Sequence, residues 1–349
     1  MRMNAKSTFA LASVLTLTLA ACAGDEGDLD GDADEDDDET SEVDEDTNGE
    51  NGDAEAAGEI ESVDELVIGL VPSTDAATEV TSAEALADQL SDALDGFPVT
   101  IFQAEDFLGV IQAMNNGDVH LVMSGPVGVI QAEDEAGGTP ILQAIRYGSD
   151  TYVTQWFTND PDTYCLDEPV DVDGFLFCNG TDDAEPGPMG EDALELIPDG
   201  ESVAYVDQGS ASGFYFPQVQ LGELGVSVDA QFSGSHDNAV LSVYNDNAAI
   251  GTSFDDAREN VTDEAPDVGE EVVVFAWAGP IPNDGIAASG DLTDEEQQLI
   301  TDAFLSFSES ADLGDGDPLY DVYDIEGLTE ADAEALDLAR EVYAEFGSE

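Results

Sequence analysis

The sequence predicts an α/β protein of two lobes, each built on a parallel-type sheet, with a hinge where the chain passes between them. Three observations support this. Short apolar runs alternate with segments of helical period from Leu66 onward, the signature of strand–helix units joined by right-handed crossovers. About 290 of the 349 residues lie beyond an amino-terminal leader and an acidic stretch, enough for two domains on size alone. Finally, glycine-spaced hydroxyl clusters, Ser210-Ala211-Ser212-Gly213 and Ser233-Gly234-Ser235-His236, stand where strands should hand over to helices.

Taken in order, Leu66 to Val71 reads as a buried strand. Thr81-Ser82-Ala83-Glu84 has the spacing of a capping box, opening a helix with Leu86, Leu90 and Leu94 on one face and Gly96 after its end. Val99 to Phe102 is the next strand, and Phe107, Val110, Ile111 and Met114 mark a helix that stops at Gly117. Val119 to Met123 leads into Ser124-Gly125-Pro126, where proline suits a first helical turn, and Ile141 to Ile145 follows as a strand. A second unit holds strands Tyr152 to Phe157, Ser202 to Val206 and Ala249 to Ser253, with helices Gly213 to Leu221 and Asp237 to Tyr244. Strand Glu271 to Ala276 and helices near 293–309 and 329–346 complete the chain. The expected division is a leader at 1–21, a stalk at 22–58, lobe 1 at 62–153, lobe 2 at 154–251 and a return to lobe 1 at 252–349. In such sheets ligands gather at the carboxyl ends of strands, which directs attention to Ser73, Phe107 and Ser124.

Charge narrows the setting. The chain carries 5 Lys+Arg against 82 Asp+Glu, a formal charge of −77. Beyond Arg2 and Lys6 in the leader, only Arg146, Arg258 and Arg340 are cationic. A disordered acidic protein would lack the 42% hydrophobic residues and the periodic segments, so the acidity reads as the surface of a halophilic protein. It argues against nucleic acid as a partner. Arg2 and Lys6, the apolar run Phe9 to Leu19, and Leu19-Ala20-Ala21-Cys22 have the form of an export signal ending at a cysteine. Residues 23–58, rich in Gly, Asp and Glu, read as an extended stalk. No other run reaches the roughly 20 apolar residues that span a bilayer. Cys165 and Cys178, 13 residues apart among turn signals, suit a disulfide in an exported chain better than a metal site, which would want further ligands nearby.

Ser210 and Ser212 have the chemistry to hold an anion without a cation, because their hydroxyls and the amides of Ser212 and Gly213 can all donate. Simple N-capping is the competing role for these serines. Ser124 at its turn reads either as a further anion donor or as part of a structural turn before a proline-initiated helix. His236 can donate to an anion with Asp237 fixing its tautomer, whereas His120 falls in a strand. Asp255 and Asp256 would suit a ligand bearing a hydroxyl or ammonium, or would be two more surface acids. Arg146 and Arg258 would line the cleft or, in such a surplus of carboxylates, form ion pairs.

The stretches AEDFLGVIQAM, HLVMSGP, DQGSASGFYFPQ, SGSHDNAVLSVYNDNAAIGTSFDDA and GPIPNDGIA resemble, in order, the motifs of the PhnD-type phosphate/phosphite/phosphonate solute-binding proteins of ABC transporters. The resemblance implies the type II periplasmic-binding-protein fold, a Venus flytrap that closes on a small oxyanion, works as a monomer without cofactor, and passes its ligand to a permease. It aligns the family's Ser-Thr-Ser turn with Ser210, Ala211 and Ser212, so the middle hydroxyl is lost. The family's tyrosines near the oxyanion align with Phe107, another departure, and with Tyr152, which is kept. Its histidine aligns with His236 and its lobe-closing acid with Asp255 or Asp256. The leader likewise resembles a lipobox, implying a lipid anchor on Cys22 and attachment to the outer face of the cell membrane.

An enzyme of the same broad fold, such as a pyrimidine-precursor synthase, is the competing class, and a stalked sensor is a third. Ser235, His236 and Asp237 are consecutive, and one turn does not present nucleophile, base and orienting acid in series. No phosphate loop, nucleophile elbow or metal cluster is present in the sequence.

Overall fold

In the computed structural model the described residues are 59–71, 76–182, 189–308, 313–314 and 316–346. Their strands, in chain order, are β1 (Leu66–Leu70), β2 (Val99–Gln103), β3 (Leu121–Ser124), β4 (Thr139–Ile145), β5 (Thr151–Thr158), β6 (Val170–Val172), β7 (Phe175–Phe177), β8 (Ser202–Tyr205), β9 (Asp229–Phe232), β10 (Ile250–Phe254), β11 (Val273–Pro282), β12 (Gly285–Ala288) and β13 (Gly327–Glu330). They form two sheets, ordered β13-β4-β12-β3-β1-β2 and β6-β7-β11-β5-β10-β8-β9.

Both sheets are mixed rather than parallel throughout. β2, β1 and β3 run parallel, as do β9, β8 and β10. β12 is antiparallel to β3 and β4, and β5 is antiparallel to β10 and β11. The physical reason lies in the crossings. β5 continues from β4 across the gap between lobes, and β12 continues from β11, so each enters its new sheet from the end where the parallel strands finish. The two crossings lie side by side. Asn283 N–H and Gln143 Nε2 both donate to the Asp150 carbonyl, at 2.9 and 3.1 Å, and Asn283 Nδ2 donates to the Ser149 carbonyl at 2.8 Å. Sheet membership therefore changes at 146–150 and at 283–284. The expected return to the first lobe at 252 falls too early, because β10 and β11 still pair in the second sheet.

Local sequence accounts for most helices. In Phe107–Asn115 the Asp106 carboxylate accepts the Gly109 N–H at 2.7 Å, and Phe107, Val110, Ile111 and Met114 are buried at helical spacing. This helix crosses β1 so closely that a Cβ on Gly69 would lie 2.4 Å from Val110 Cγ2. The first helix begins at Ala76, not at the expected capping box. Thr81 and Glu84 lie on its exposed face, while Ala83, Leu86, Ala87 and Leu90 are buried, so the apolar stripe that defines the helix extends it through the box. The expected helix at 329–346 is also shorter: β13 takes 327–330 as an edge strand on β4, and the helix is Asp337–Phe346. Cys165 and Cys178 form a disulfide, closing the segment that carries the β6–β7 hairpin.

Lobe 1 packs Leu66, Ile68, Leu86, Leu90, Ile111, Leu121 and Phe304 into one core. Lobe 2 has a cluster on each face of its sheet, one around Val240, Val243 and Val274, the other around Trp156, Tyr205 and Phe275. A fourth apolar cluster joins the lobes: Val127 and Ile130 from helix Pro126–Ala136 meet Ala211, Tyr215 and Phe216 of lobe 2 and Ala339 and Val342 of the last helix. That helix is also tied to lobe 1 by Arg340 to Glu133 at 2.5 Å and by Tyr343 OH donating to Glu135 at 2.8 Å.

Candidate ligand-binding site

A cavity of about 30 Å³ lies between the lobes, close to the crossings. From lobe 1, Ser124 ends β3 just before helix Pro126–Ala136, whose N-terminus has no side-chain cap. Its hydroxyl is buried and has no hydrogen-bond partner. A Cβ on Gly128 would sit 2.1 Å from that oxygen, so only glycine leaves room for the hydroxyl where it is. From lobe 2, Ser210 caps a helix that opens with a π-turn, Ala211–Tyr215, and continues as Phe216–Leu224. The Ser210 Oγ accepts the Gly213 N–H at 3.0 Å. Two buried threonines fasten this turn to the sheet: Thr154 donates to the Ser212 carbonyl and Thr252 to that of Gly213, both at 2.9 Å. Such π-turns recur at functional sites.

Tyr152 lines the cavity with its hydroxyl bonded to Ser212, and burial drives that phenol well above its ordinary range. His236 begins helix His236–Tyr244, with Nδ1 2.7 Å from Ser253 Oγ. Burial, with Arg146 adding to the effect, holds its imidazole down to about 3, so the ring is neutral. Asp284, on the second crossing, faces the cavity, and Arg146 Nη1 lies 3.6 Å from it. Burial raises its carboxyl above the usual range, opposed by Arg146. The Tyr323 hydroxyl closes the wall against the Val71 backbone, 3.1 Å from N and 2.9 Å from O. The interior thus offers hydroxyl and imidazole donors and one carboxylate.

Of the residues singled out in the sequence, Phe107, Ser124, Tyr152, Ser210, Ala211, Ser212 and His236 line this cavity together. Asp255 and Asp256 do not. Asp255 accepts from Gln155 Nε2 and faces a separate cavity. Asp256 holds Arg258, which is wholly buried, donates also to the carbonyls of Leu176 and Val272, and stacks on Phe175 and Phe177. A guanidinium without water needs its counter-ion beside it, and that need takes Asp256 away from the cleft. Arg146 pairs with Asp284 and, at 3.3 Å, with Asp324. The second serine cluster contributes a cap, Ser235 to Asn238 N at 3.2 Å, and its consecutive Ser235, His236 and Asp237 form no relay: His236 meets Ser253, and Asp237 accepts from Asn260. His120 is structural, its Nδ1 accepting the Val67 N–H at 3.1 Å. Ser73 and Cys22 lie outside the described residues, and among the described residues no cluster of three or more His, Cys, Asp or Glu that could hold a metal is found. Sequence reasoning missed Val71, Gly125, Asp284 and Tyr323. Asp284 had a signal, an acid within the GPIPNDGIA stretch, although the expected boundary at 252 set that stretch inside lobe 1; Tyr323 had none.

Residues 68–336 match the family model described as the periplasmic substrate-binding protein of phosphonate ABC transporters. The chain belongs to this family. It is 24% identical over 252 residues to the phosphate-import protein PhnD of Mycolicibacterium smegmatis, covering 68% of this chain and 67% of that one. Among solved structures it is similar to PhnD1 from Prochlorococcus marinus in complex with methylphosphonate, with a TM-score of 0.65, 16% identity, and 82% and 99% of the two chains covered. A binding component of a phosphonate transporter from Pseudomonas aeruginosa gives 0.60, 18%, and 79% and 84%. The fold is accordingly the two-lobed type II arrangement, and the protein is a substrate-binding receptor of an ABC importer. Membership also places this receptor outside the cytoplasm. No helix among the described residues is long and apolar enough to cross a membrane.

Proposed function

We propose that the receptor captures a small phosphorus oxyanion that still carries an acidic O–H proton, in the class of phosphite, phosphate and methylphosphonate in their monoprotonated forms, and delivers it to its permease by lobe closure without chemistry. The observation that carries this reading is the pairing of Asp284 with hydroxyl donors in a cavity of about 30 Å³. Ser124, Tyr152, Ser210, Ser212 and neutral His236 suit oxyanion oxygens, with Ala211 and Phe107 filling the wall where the family carries hydroxyls. The Asp284 carboxylate needs a donor in return, since two unprotonated oxygens in contact would repel. A fully deprotonated oxyanion such as sulfate has none to give. The small volume favours ligands with a bare or one-carbon substituent.

Calorimetric titration against phosphite, phosphate, methylphosphonate and sulfate tests this. Phosphite or phosphate should bind and sulfate should not, and Asp284→Asn should admit sulfate. Equal affinity for sulfate in the unaltered protein would sink the reading. The leader supports export and lipidation at Cys22, giving a monomeric receptor tethered by residues 22–58; lipid labelling that is lost in Cys22→Ser would bear on this.

A further inference from the structure

Beside the oxyanion cavity the two lobes make a polar contact of their own. Helix Phe107–Asn115 of lobe 1 starts there, and its first amides have no partner within the helix. Asp106 meets one of them, the Gly109 N–H, at 2.7 Å. The Phe107 N–H is met from the other lobe, by the carboxylate of Asp207, which follows β8. The same carboxylate accepts the Gly209 N–H at 2.8 Å, and the Ser210 N–H donates to the Asp207 carbonyl at 3.1 Å, folding 207–210 into a tight turn. This turn presses on the helix: a Cβ on Gly209 would stand 2.6 Å from the Phe107 Cβ. Gly209 is buried and its φ lies outside the left-handed region, so the opposite lobe, not the local backbone, requires glycine there.

Both contacts exist only while the lobes are together, because Phe107 belongs to the core of lobe 1 and the turn follows a strand of the second sheet. Phe107 and Ser210 line the oxyanion cavity, whereas Asp207 and Gly209 do not. Burial, with Asp106 adding to it, raises the Asp207 carboxyl above its usual range, although the Gly209 and Phe107 amides favour the charged form. Asp207 therefore serves this place as a hydrogen-bond acceptor, and its negative charge is a cost. We propose, resting on the lobe closure set out above, that Asp207 and Gly209 form a closure latch: an acceptor of lobe 2 completes the N-terminus of a lobe 1 helix, and a glycine lets the two approach. They are positioning residues that set how fully the closed state is populated. A contact made only in the closed state enters the apparent affinity through that population, so both residues govern Kd without touching the oxyanion.

Three variants of the protein test this, by phosphite titration, small-angle scattering and amide exchange. Asp207→Ala should weaken phosphite binding about tenfold, the loss of one hydrogen-bonded contact. It should also leave the complex less compact, and speed exchange of the Phe107 amide while that of Gly109, held by Asp106, is unchanged. Asp207→Asn keeps an oxygen acceptor and sheds the charge, so it should hold all three properties within about twofold of the parent. Gly209→Ala should reproduce the alanine defect by a separate route, a methyl group in the path of Phe107, without lowering the melting temperature, because the backbone there suits alanine. The proposal is overturned if Asp207→Ala keeps the parental affinity and compaction, if Asp207→Asn is no better than Asp207→Ala, or if Gly209→Ala binds as the parent does. Should the unaltered protein ignore phosphite, the ligand reading alone fails, and exchange at Phe107 decides the latch: equal protection in the parent and in Asp207→Ala overturns it.

Discussion

Replacing Ser124 with alanine should separate binding from folding more cleanly than any other change at the site. Its hydroxyl is buried without a partner, so in the unliganded protein it costs desolvation and returns no hydrogen bond, a penalty of about 1–3 kcal/mol. On binding, the same hydroxyl donates to a charged oxygen, worth about 1.5–3 kcal/mol, which is roughly 10- to 150-fold in Kd. Ser124→Ala should therefore weaken oxyanion binding by that factor while leaving thermal stability unchanged or slightly raised. Ser210→Ala provides the contrast, because the Ser210 hydroxyl already accepts the Gly213 N–H, and losing that cap should cost about 1 kcal/mol of stability. Gly128→Ala should reproduce the Ser124 defect from outside the cavity: its Cβ would sit 2.1 Å from the hydroxyl and force it to turn. Isothermal titration with phosphite and differential scanning calorimetry on the three variants make the comparison. If Ser124→Ala lowers stability by as much as Ser210→Ala, or leaves Kd untouched, the hydroxyl is a structural group and the reasoning fails.

Other expectations follow from buried charge. Folded Asp255 holds its proton up to about pH 7 whereas the unfolded carboxyl releases it near 4, so stability falls as pH rises through that window. His236 acts oppositely: the unfolded ring takes a proton below about 6.5 and the folded ring only near 3, so stability falls as pH drops between them. Asp255→Asn should then gain stability over the parent above pH 7, with the gain shrinking toward pH 4, as read from melting curves across pH; a gain largest at low pH would refute the assignment. Arg258→Met should cost about 3–5 kcal/mol by stranding Asp256, and adding Asp256→Leu should restore much of it; additive losses in denaturant melts would count against the buried pair. With a formal charge of −77, raising salt from about 0.1 M to 1 M shortens the screening length from roughly 10 to 3 Å, and both thermal stability and the rate of oxyanion association should rise. A rate that falls steadily with salt in stopped-flow traces would mean that Arg146 dominates the approach.

Much of the architecture was legible because it is written in short-range pattern. Phe107, Val110, Ile111 and Met114 announce a helix, Ser124-Gly125-Pro126 announces its successor, and both hydroxyl clusters lie at helix starts as their spacing implies. What was hidden depends on long-range pairing. The direction of β5 and β12 is set by where the chain re-enters a sheet, which no local period records. Tyr323 reaches the site from 252 residues beyond Val71. That neither Asp255 nor Asp256 lines the site turns on Gln155 engaging the one and Arg258 claiming the other in lobe 2, a matter of burial rather than motif. Likewise β13 is an edge strand only because β4 lies beside it, and its own residues, Gly327–Glu330, carry little to distinguish strand from loop.

The apolar cluster joining the lobes gives closure a thermal signature. Val127 and Ile130 touch Ala211, Tyr215 and Phe216 only while the lobes are together, with Ala339 and Val342 covering the seam. Opening returns that surface to water, and hydrating apolar surface raises heat capacity. A ligand of a few atoms buries too little surface of its own to matter, so the heat-capacity change on binding reports the protein's seam instead. It should be negative, large for so small a ligand, nearly the same for every oxyanion the receptor closes on, and smaller in Val127→Ala.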